Sequence, residues 1–348
     1  MRLGHFLTAR DLARKVLARG SSPSRPPVLS FGSWEKYSET GSEVIQICHP
    51  DWRGVRTVAN SVGAPLVQCD DLAGWGNELL ARFSEASISM VVIQGWPPGA
   101  AEFAARLAAG GINVKCVLHS SPAQHGAESG EAEVVDQVLG LKRSGVLSGV
   151  GMAKMGVHQA FASAGHPVAY VPNRVPRIPE ISKVDLGPGL HVGVFAEPFW
   201  RKNVVTQLLA VALLDGAVAH VMKRPAVEYL DGIDLVEHGE LPWEEFVALQ
   251  GSVDLNMYVT LSECHPSTPQ ESYLTGVPCL MSRVSGVFRE DDRLWELTTT
   301  DLPDDPSAIA NAGWRLLDHR EEAVTRATEW MKQADVEGAT RWERFISE

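Results

Sequence analysis

Pro172, Pro176, Pro179 and Pro188 stand within 17 residues of one another near the middle of the chain. Proline fixes φ and has no N–H, so this density admits neither a helix interior nor a central strand. It divides a sequence that otherwise alternates short apolar runs with amphipathic stretches. Before the prolines, strands are expected at 28–31, 43–48, 89–93, 114–118 and 167–171, and a strand or turn at 145–150. Helices are expected at 54–62, 100–109, 131–141 and 158–164. The alternation then restarts, with strands at 190–195, 217–222, 233–237, 253–259 and 277–281. Helices follow at 203–214, 243–249, 269–275, 305–317 and 321–334, and Trp342–Ile346 ends the chain. Strand–helix alternation calls for parallel sheets covered by helices on both faces. The fold class is therefore α/β, with two Rossmann-type doubly wound domains facing a central cleft, where such folds bind ligands.

A length of 348 residues suits two domains at roughly 100–200 residues each. The division reads as a basic extension (1–27), a first domain (28–176), a proline-rich linker (177–188) and a second domain (189–330). A C-terminal helix (331–348) is expected to pack back on the first domain. Net charge is -12, yet the first 27 residues hold Arg2, Arg10, Arg14, Lys15, Arg19 and Arg25 against Asp11 alone, leaving -17 on the rest. A general electrostatic grip on nucleic acid is disfavoured by that acidity. In the extension, Ala9, Leu12, Ala13 and Val16 recur at helical spacing, which reads first as a helix packed on the first domain. The sharper reading is a docking helix, giving residues 1–20 a peripheral contact with a membrane surface or an anionic acceptor. No run approaches the ~18 apolar residues of a membrane-spanning helix.

The five cysteines (Cys48, Cys69, Cys116, Cys264, Cys279) form no C-x-x-C pair, and the eleven histidines form no H-E-x-x-H or H-x-x-x-H. This usage predicts buried thiols in a reducing, cytoplasmic setting and no metal site. Gly149-Val150-Gly151 is followed by Met-Ala-Lys, so it is no dinucleotide fingerprint, and there is no phosphate loop of the G-x-x-x-x-G-K-[ST] type. His125, His220 and His238 carry no motif, and Trp96, Trp200 and Trp243 read as packing residues.

Chemistry concentrates in the second half. Thr260–Glu271, TLSECHPSTPQE, follows an expected strand and opens a short helix, so it lies at the carboxyl edge of a sheet. Backbone N–H groups of Ser267 and Thr268 at that helix start favour an anion. Glu263 and Glu271 flank them, and carboxylates accept from sugar or ribose hydroxyls. Arg201 and Lys202 stand at the start of the helix after strand LHVGVF, where cations oppose the helix dipole and a diphosphate would account for them.

With these pieces in place, residues 114–285 resemble family 4 glycosyltransferases of the GT-B fold. The carriers are the E-x7-E pair Glu263–Glu271 and its continuation ESYLTGVPCLMS, with VGVFAEPFWRKN, AYVPNRV and LHSSP. The resemblance implies a retaining glycosyltransferase that needs no metal or other cofactor and uses a nucleotide-diphosphate sugar, with a UDP-sugar the commonest family donor. It implies that Lys202 binds the diphosphate and that Glu263 approaches the donor sugar. Ser267 and Thr268 hold phosphate oxygens, Glu271 holds the ribose, and His119 lies near the transferred sugar. Where the family places Arg after the strand glycine, Val194-Phe195-Ala196 follow Gly193, and Arg201 is the candidate replacement. Cys264-His265-Pro266 stand where a small residue is usual, and Gly32 and Gly41 flank a bulky SWEKYSET loop. The acceptor is open: saccharide, lipid-linked glycan, protein, small molecule or, against the charge, a modified nucleic-acid base. Two alternatives accompany the reading. One is a non-catalytic nucleotide-sugar-binding subunit; the other is a same-fold epimerase or phosphorylase.

Overall fold

In the computed structural model of the protein, Leu29, Ser30 and residues 43–348 are described. The expected N-terminal helix and the loop between Gly32 and Gly41 lie outside the described residues. Two sheets account for every described strand. The first runs β1 (Leu29–Ser30), β3 (Leu66–Cys69), β2 (Val44–Cys48), β4 (Met90–Gln94), β5 (Asn113–Leu118), β6 (Gly149–Met152) and β7 (Ala169–Tyr170). All its pairs are parallel except the edge pair of β1 and β3. The second is wholly parallel: β10 (Leu235–Glu237), β9 (Ala217–Val221), β8 (Leu190–Val194), β11 (Leu255–Tyr258), β12 (Cys279–Ser282) and β13 (Thr299–Thr300). Between Tyr170 and Leu190, where the prolines cluster, the chain forms neither strand nor helix.

Each sheet winds outward in both directions from a switch point, between β2 and β4 in the first and between β8 and β11 in the second. Loops leaving the carboxyl ends of strands at such a point diverge and open a crevice. The interiors follow the strand pattern. Ile45, Ile47, Val91 and Ile93 fill the first core, and Val192, Val194, Leu255 and Met257 the second.

Helices in the first half are α1 (Arg53–Val62), α2 (Leu72–Glu85), α3 (Ala100–Ala109), α4 (Pro122–Ala127), α5 (Glu131–Arg143) and α6 (Val157–Ser163). Those in the second are α7 (Val204–Val211), α8 (Trp243–Gln250), α9 (Thr268–Leu274), α10 (Asp292–Thr298), α11 (Pro306–Asp318) and α12 (Arg320–Ser347). The sequence reading missed β3, β13, α2, α4 and α10. Gly74 and Gly76 weaken the helical signal of α2, each costing about 1 kcal/mol against alanine in a helix interior; the N-cap bond from Ala73 N–H to Asp71 offsets part of that.

The expected break after residue 334 is absent. A single helix, α12, runs through it, so a boundary at 331 falls inside that helix. Gly338 sits where the helix comes closest to the start of the linker; a Cβ there would meet Arg174 Cδ at 3.3 Å. Beside it, Arg174 donates two hydrogen bonds to Asp335 at 2.7 and 2.8 Å. The end of α12 then packs on the first sheet, with Trp342 and Phe345 against Val92, Val117 and Val171. Lys115 of β5 lies under this end. Its ammonium donates to the Phe345 carbonyl and sits 5.1 Å from the Phe345 ring, and burial lowers its pKa. A cation at a helix C-terminus complements the free carbonyls there. Trp342→Ala is expected to cost roughly 3–5 kcal/mol of stability, the range for large aromatic truncations in a core. Urea unfolding measures it, and a loss below about 1 kcal/mol would mean that the helix docks without this ring.

Candidate active site in the interdomain cleft

The switch point of the second sheet brings together the loops leaving β8 and β11. Gly193, near the end of β8, has no room for a side chain: a Cβ would lie 2.3 Å from the Phe195 ring and 2.4 Å from Asn256 Oδ1. The chain then runs through Phe195–Phe199 into a 3-10 turn, Trp200–Lys202, that carries both cations. The sequence placed Arg201 and Lys202 at the start of α7. They instead precede it, because Asn203 takes a left-handed conformation (φ 55°) that separates the turn from the helix.

Side-chain amides lock this turn to the loop after β11. Asn203 Nδ2 donates to the Val259 carbonyl at 3.0 Å. Gln207, fully buried, donates to the Lys202 carbonyl at 2.8 Å and accepts from Val259 N–H at 2.9 Å. The Leu261 N–H donates to the Arg201 carbonyl at 2.8 Å. The two loops therefore move as one body.

Glu263 is the focus of that body. It is 5% exposed, and its Oε1 accepts from Lys202 Nζ, from Arg201 at 3.2 Å and from the Tyr258 hydroxyl at 3.1 Å. Lys202 also lies 4.7 Å over the Tyr258 ring. Burial lowers the Lys202 pKa and Arg201 adds to that, while Glu263 opposes both. Arg201 is shared across the cleft, its Nε 3.3 Å from a carboxylate oxygen of Glu128, which follows α4 of the first domain. That Nε makes an ion-pair contact without hydrogen-bond alignment.

Further contacts join the halves beside Glu263. Lys154 donates to the Glu263 carbonyl at 2.7 Å and to the Val284 carbonyl. The Ser121 and Ser262 hydroxyls meet directly. Asn173 donates to the His265 carbonyl at 2.5 Å.

His119, just past β5, ends a relay of buried amides. Gln46 donates to the Ala59 and Ala64 carbonyls at 2.9 and 3.0 Å, which leaves its oxygen for Gln94 Nε2 at 2.7 Å. The Gln94 oxygen then faces His119 Nε2 at 2.8 Å. This order assigns the proton to Nε2 and leaves Nδ1 as the acceptor. Burial, with His265 adding, pulls the His119 pKa down to about 4, so the ring is neutral near pH 7.

Glu271 lies on α9, one turn past the loop, 4% exposed. Burial pushes its pKa up to about 7, against a hydrogen bond from Ser267 that lowers it. Helix α9 has seven residues, and Pro269 directly follows Thr268, so the expected cradle of free N–H groups lacks a donor at that position. Of the residues singled out in the sequence, Arg201, Lys202 and Glu263 touch one another, and Ser267 pairs with Glu271. His119 approaches the loop through His265 and makes no hydrogen bond to Glu263. Sequence reasoning missed Tyr258, Glu128, Lys154, Gln207 and the Gln46–Gln94 relay. Only Gln46 and Gln94 left a trace, as polar residues inside apolar strands.

No protein-family model matches the chain, and no curated protein matches it. Solved structures do. Over 88% of its length the chain is similar to sucrose-phosphate synthase from Thermosynechococcus elongatus, with 98% of that chain covered, 14% identity and a TM-score of 0.65. It is similar over 87% of its length to an α,α-trehalose-phosphate synthase (UDP-forming) from Burkholderia xenovorans in complex with glucose-6-phosphate, with 99% of that chain covered, 11% identity and a TM-score of 0.61. An E. coli trehalose-6-phosphate structure bound with UDP-2-fluoro glucose matches over 87% of this chain and 98% of its own, at 12% identity and a TM-score of 0.59. At these identities the likeness establishes the fold, the two-domain GT-B arrangement of parallel sheets. Among the described residues, no helix is long and apolar enough to cross a membrane.

The raised Glu271 pKa fixes a pH dependence of stability. Unfolded, this carboxyl titrates near 4.5; folded, near 7. Between those values the native state holds a proton that the unfolded chain has released, so stability falls as pH rises through the window. Glu271→Gln should remove this contribution, its melting temperature gaining on the parent's between pH 4.5 and 7. A constant difference across that window would show that Glu271 does not titrate there.

Proposed function

We propose that the protein is a retaining glycosyltransferase that moves a sugar from a nucleotide-diphosphate sugar, a UDP-sugar by preference, to an acceptor hydroxyl. The observation that carries this is the convergence of Lys202 and Arg201 on buried Glu263 at the switch point of the second sheet. The family 4 resemblance of the E-x7-E region supports it, as do solved neighbours whose names include UDP-forming synthases and a UDP-2-fluoro glucose complex. In this reading the second domain (189–330) holds the donor and the first (28–176) presents the acceptor.

Breaking the anomeric C–O bond leaves its electron pair on the diphosphate and positive charge on the sugar. The acceptor oxygen bonds to the anomeric carbon, and its proton leaves with the nucleoside diphosphate. Lys202 and Arg201 stabilise the departing negative charge, aided by the Ser267 and Thr268 amides. Both cations are preset by Glu263, so they need no reorganisation when that charge develops. Glu263 also accepts from donor-sugar hydroxyls, and Glu271 from the ribose. Neutral His119 presents its Nδ1 as an acceptor to the transferred sugar and carries no charge into the reaction. The linker acts as the hinge whose closure excludes water.

Lys202→Ala should lower turnover by about 10²–10³ while leaving the fold intact, the usual cost of removing one stabilising donor. Arg201→Ala should weaken donor affinity in calorimetry; unchanged affinity would remove Arg201 from the site. With these side chains carrying the leaving charge, transfer should persist in EDTA, and loss of all turnover on chelation would contradict that assignment.

A further inference from the structure

The loop between β11 and α9, residues 259–267, forms neither strand nor helix, so its buried backbone groups must find partners elsewhere. Three neighbouring strands of the first sheet meet it. β5, β6 and β7 lie side by side, and each is followed by a polar residue that reaches this loop: Ser121, Lys154 and Asn173. Ser121 meets the Ser262 hydroxyl, Lys154 donates to the Glu263 carbonyl at 2.7 Å, and Asn173 donates to the His265 carbonyl. The contacts follow the order of the strands, and Ser121, Asn173 and the three loop residues are all buried.

Lys154 is the charged member of this row. It stands in the turn between β6 and α6, and both of its hydrogen bonds end on the second domain. The second bond goes to the Val284 carbonyl, in the 3-10 turn Arg283–Ser285 that follows β12. One ammonium therefore fastens two loops of the opposite domain at once. Hydrogen bonds from a charged group are roughly twice as strong as neutral ones, so this contact holds more firmly than its hydroxyl and amide neighbours.

Glu263 is thus fixed at two points by two domains. Lys202, Arg201 and Tyr258 hold its carboxylate, and Lys154 holds its carbonyl. With the domains apart, the carboxylate keeps its partners, but the Glu263 and His265 carbonyls exchange theirs for water. No regular structure in the loop then sets the path of the chain between them.

We propose that Lys154 is a positioning residue that sets Glu263 for the sugar of the nucleotide donor, so that the first domain completes the sugar subsite of the second. The proposal rests on the glycosyltransferase reading given above. Lys154 takes no part in bond making or breaking; it acts through the backbone of Glu263.

Calorimetry with UDP and with UDP-glucose on the full protein separates this role from a merely structural one. UDP meets the diphosphate cations but lacks the sugar that Glu263 approaches. Lys154→Met should therefore weaken UDP-glucose at least about tenfold and UDP by less than about twofold. Lys154→Arg, which keeps the charge and adds N–H donors, should restore UDP-glucose to within about threefold of the parent. Unaltered UDP-glucose affinity in Lys154→Met, an equal loss for UDP, or no recovery in Lys154→Arg would overturn the proposal. Amide hydrogen exchange reads the loop without any ligand. In Lys154→Met, peptides covering 260–266 should exchange at least about tenfold faster while those of β4 keep the parent rate, and an unchanged loop would also overturn the proposal. If the parent binds neither nucleotide, the glycosyltransferase reading falls. Faster exchange confined to the loop would then uphold Lys154 as the residue that holds it and overturn only its service to the sugar.

Discussion

A carboxylate sealed from solvent has to be surrounded by donors, and that requirement at Glu263 organises the cleft. An uncompensated buried charge costs several kcal/mol, so the loops leaving β8 and β11 are held where Lys202, Arg201 and Tyr258 all reach it. The neutral scaffold around them, Gln207 and Asn203, makes that position rigid. The result is a pair of cations whose location is set by the protein. Glu128 extends this hold to the other domain, since it shares Arg201.

The two halves solve related problems with different chemistry. The second presents charge at its switch point. The first presents a neutral relay from Gln46 through Gln94 to His119, in which each amide orientation dictates the next. Such a chain fixes a tautomer without placing an ion in the sheet.

Much of this was legible in the sequence, and the reasons differ by element. The parallel α/β architecture followed from the alternation of apolar runs and from the prolines between Pro172 and Pro188. Arg201, Lys202 and Glu263 stand out in the sequence because cations at a helix start and a carboxylate beside an anion-favouring turn demand an explanation. Their mutual contact was not readable, since it depends on the left-handed turn at Asn203 and on a strand order no local pattern reveals. Lys154 and Glu128 were invisible for a similar reason: each acts on the opposite domain, more than 70 residues away along the chain. Strand β3 was missed because four residues give too little alternation, and the continuity of α12 past 334 because the poor helix former Gly338 lies inside it, at a close crossing that no local pattern reveals.

The path of α12 bears on how the protein comes apart. Trp342 and Phe345, carried by a helix that starts in the second half, pack on Val92, Val117 and Val171 of the first. Neither half completes its own apolar cover, so loss of one uncovers surface on the other. Denaturation of the two is coupled through this crossing, which favours a single cooperative transition over two separable ones.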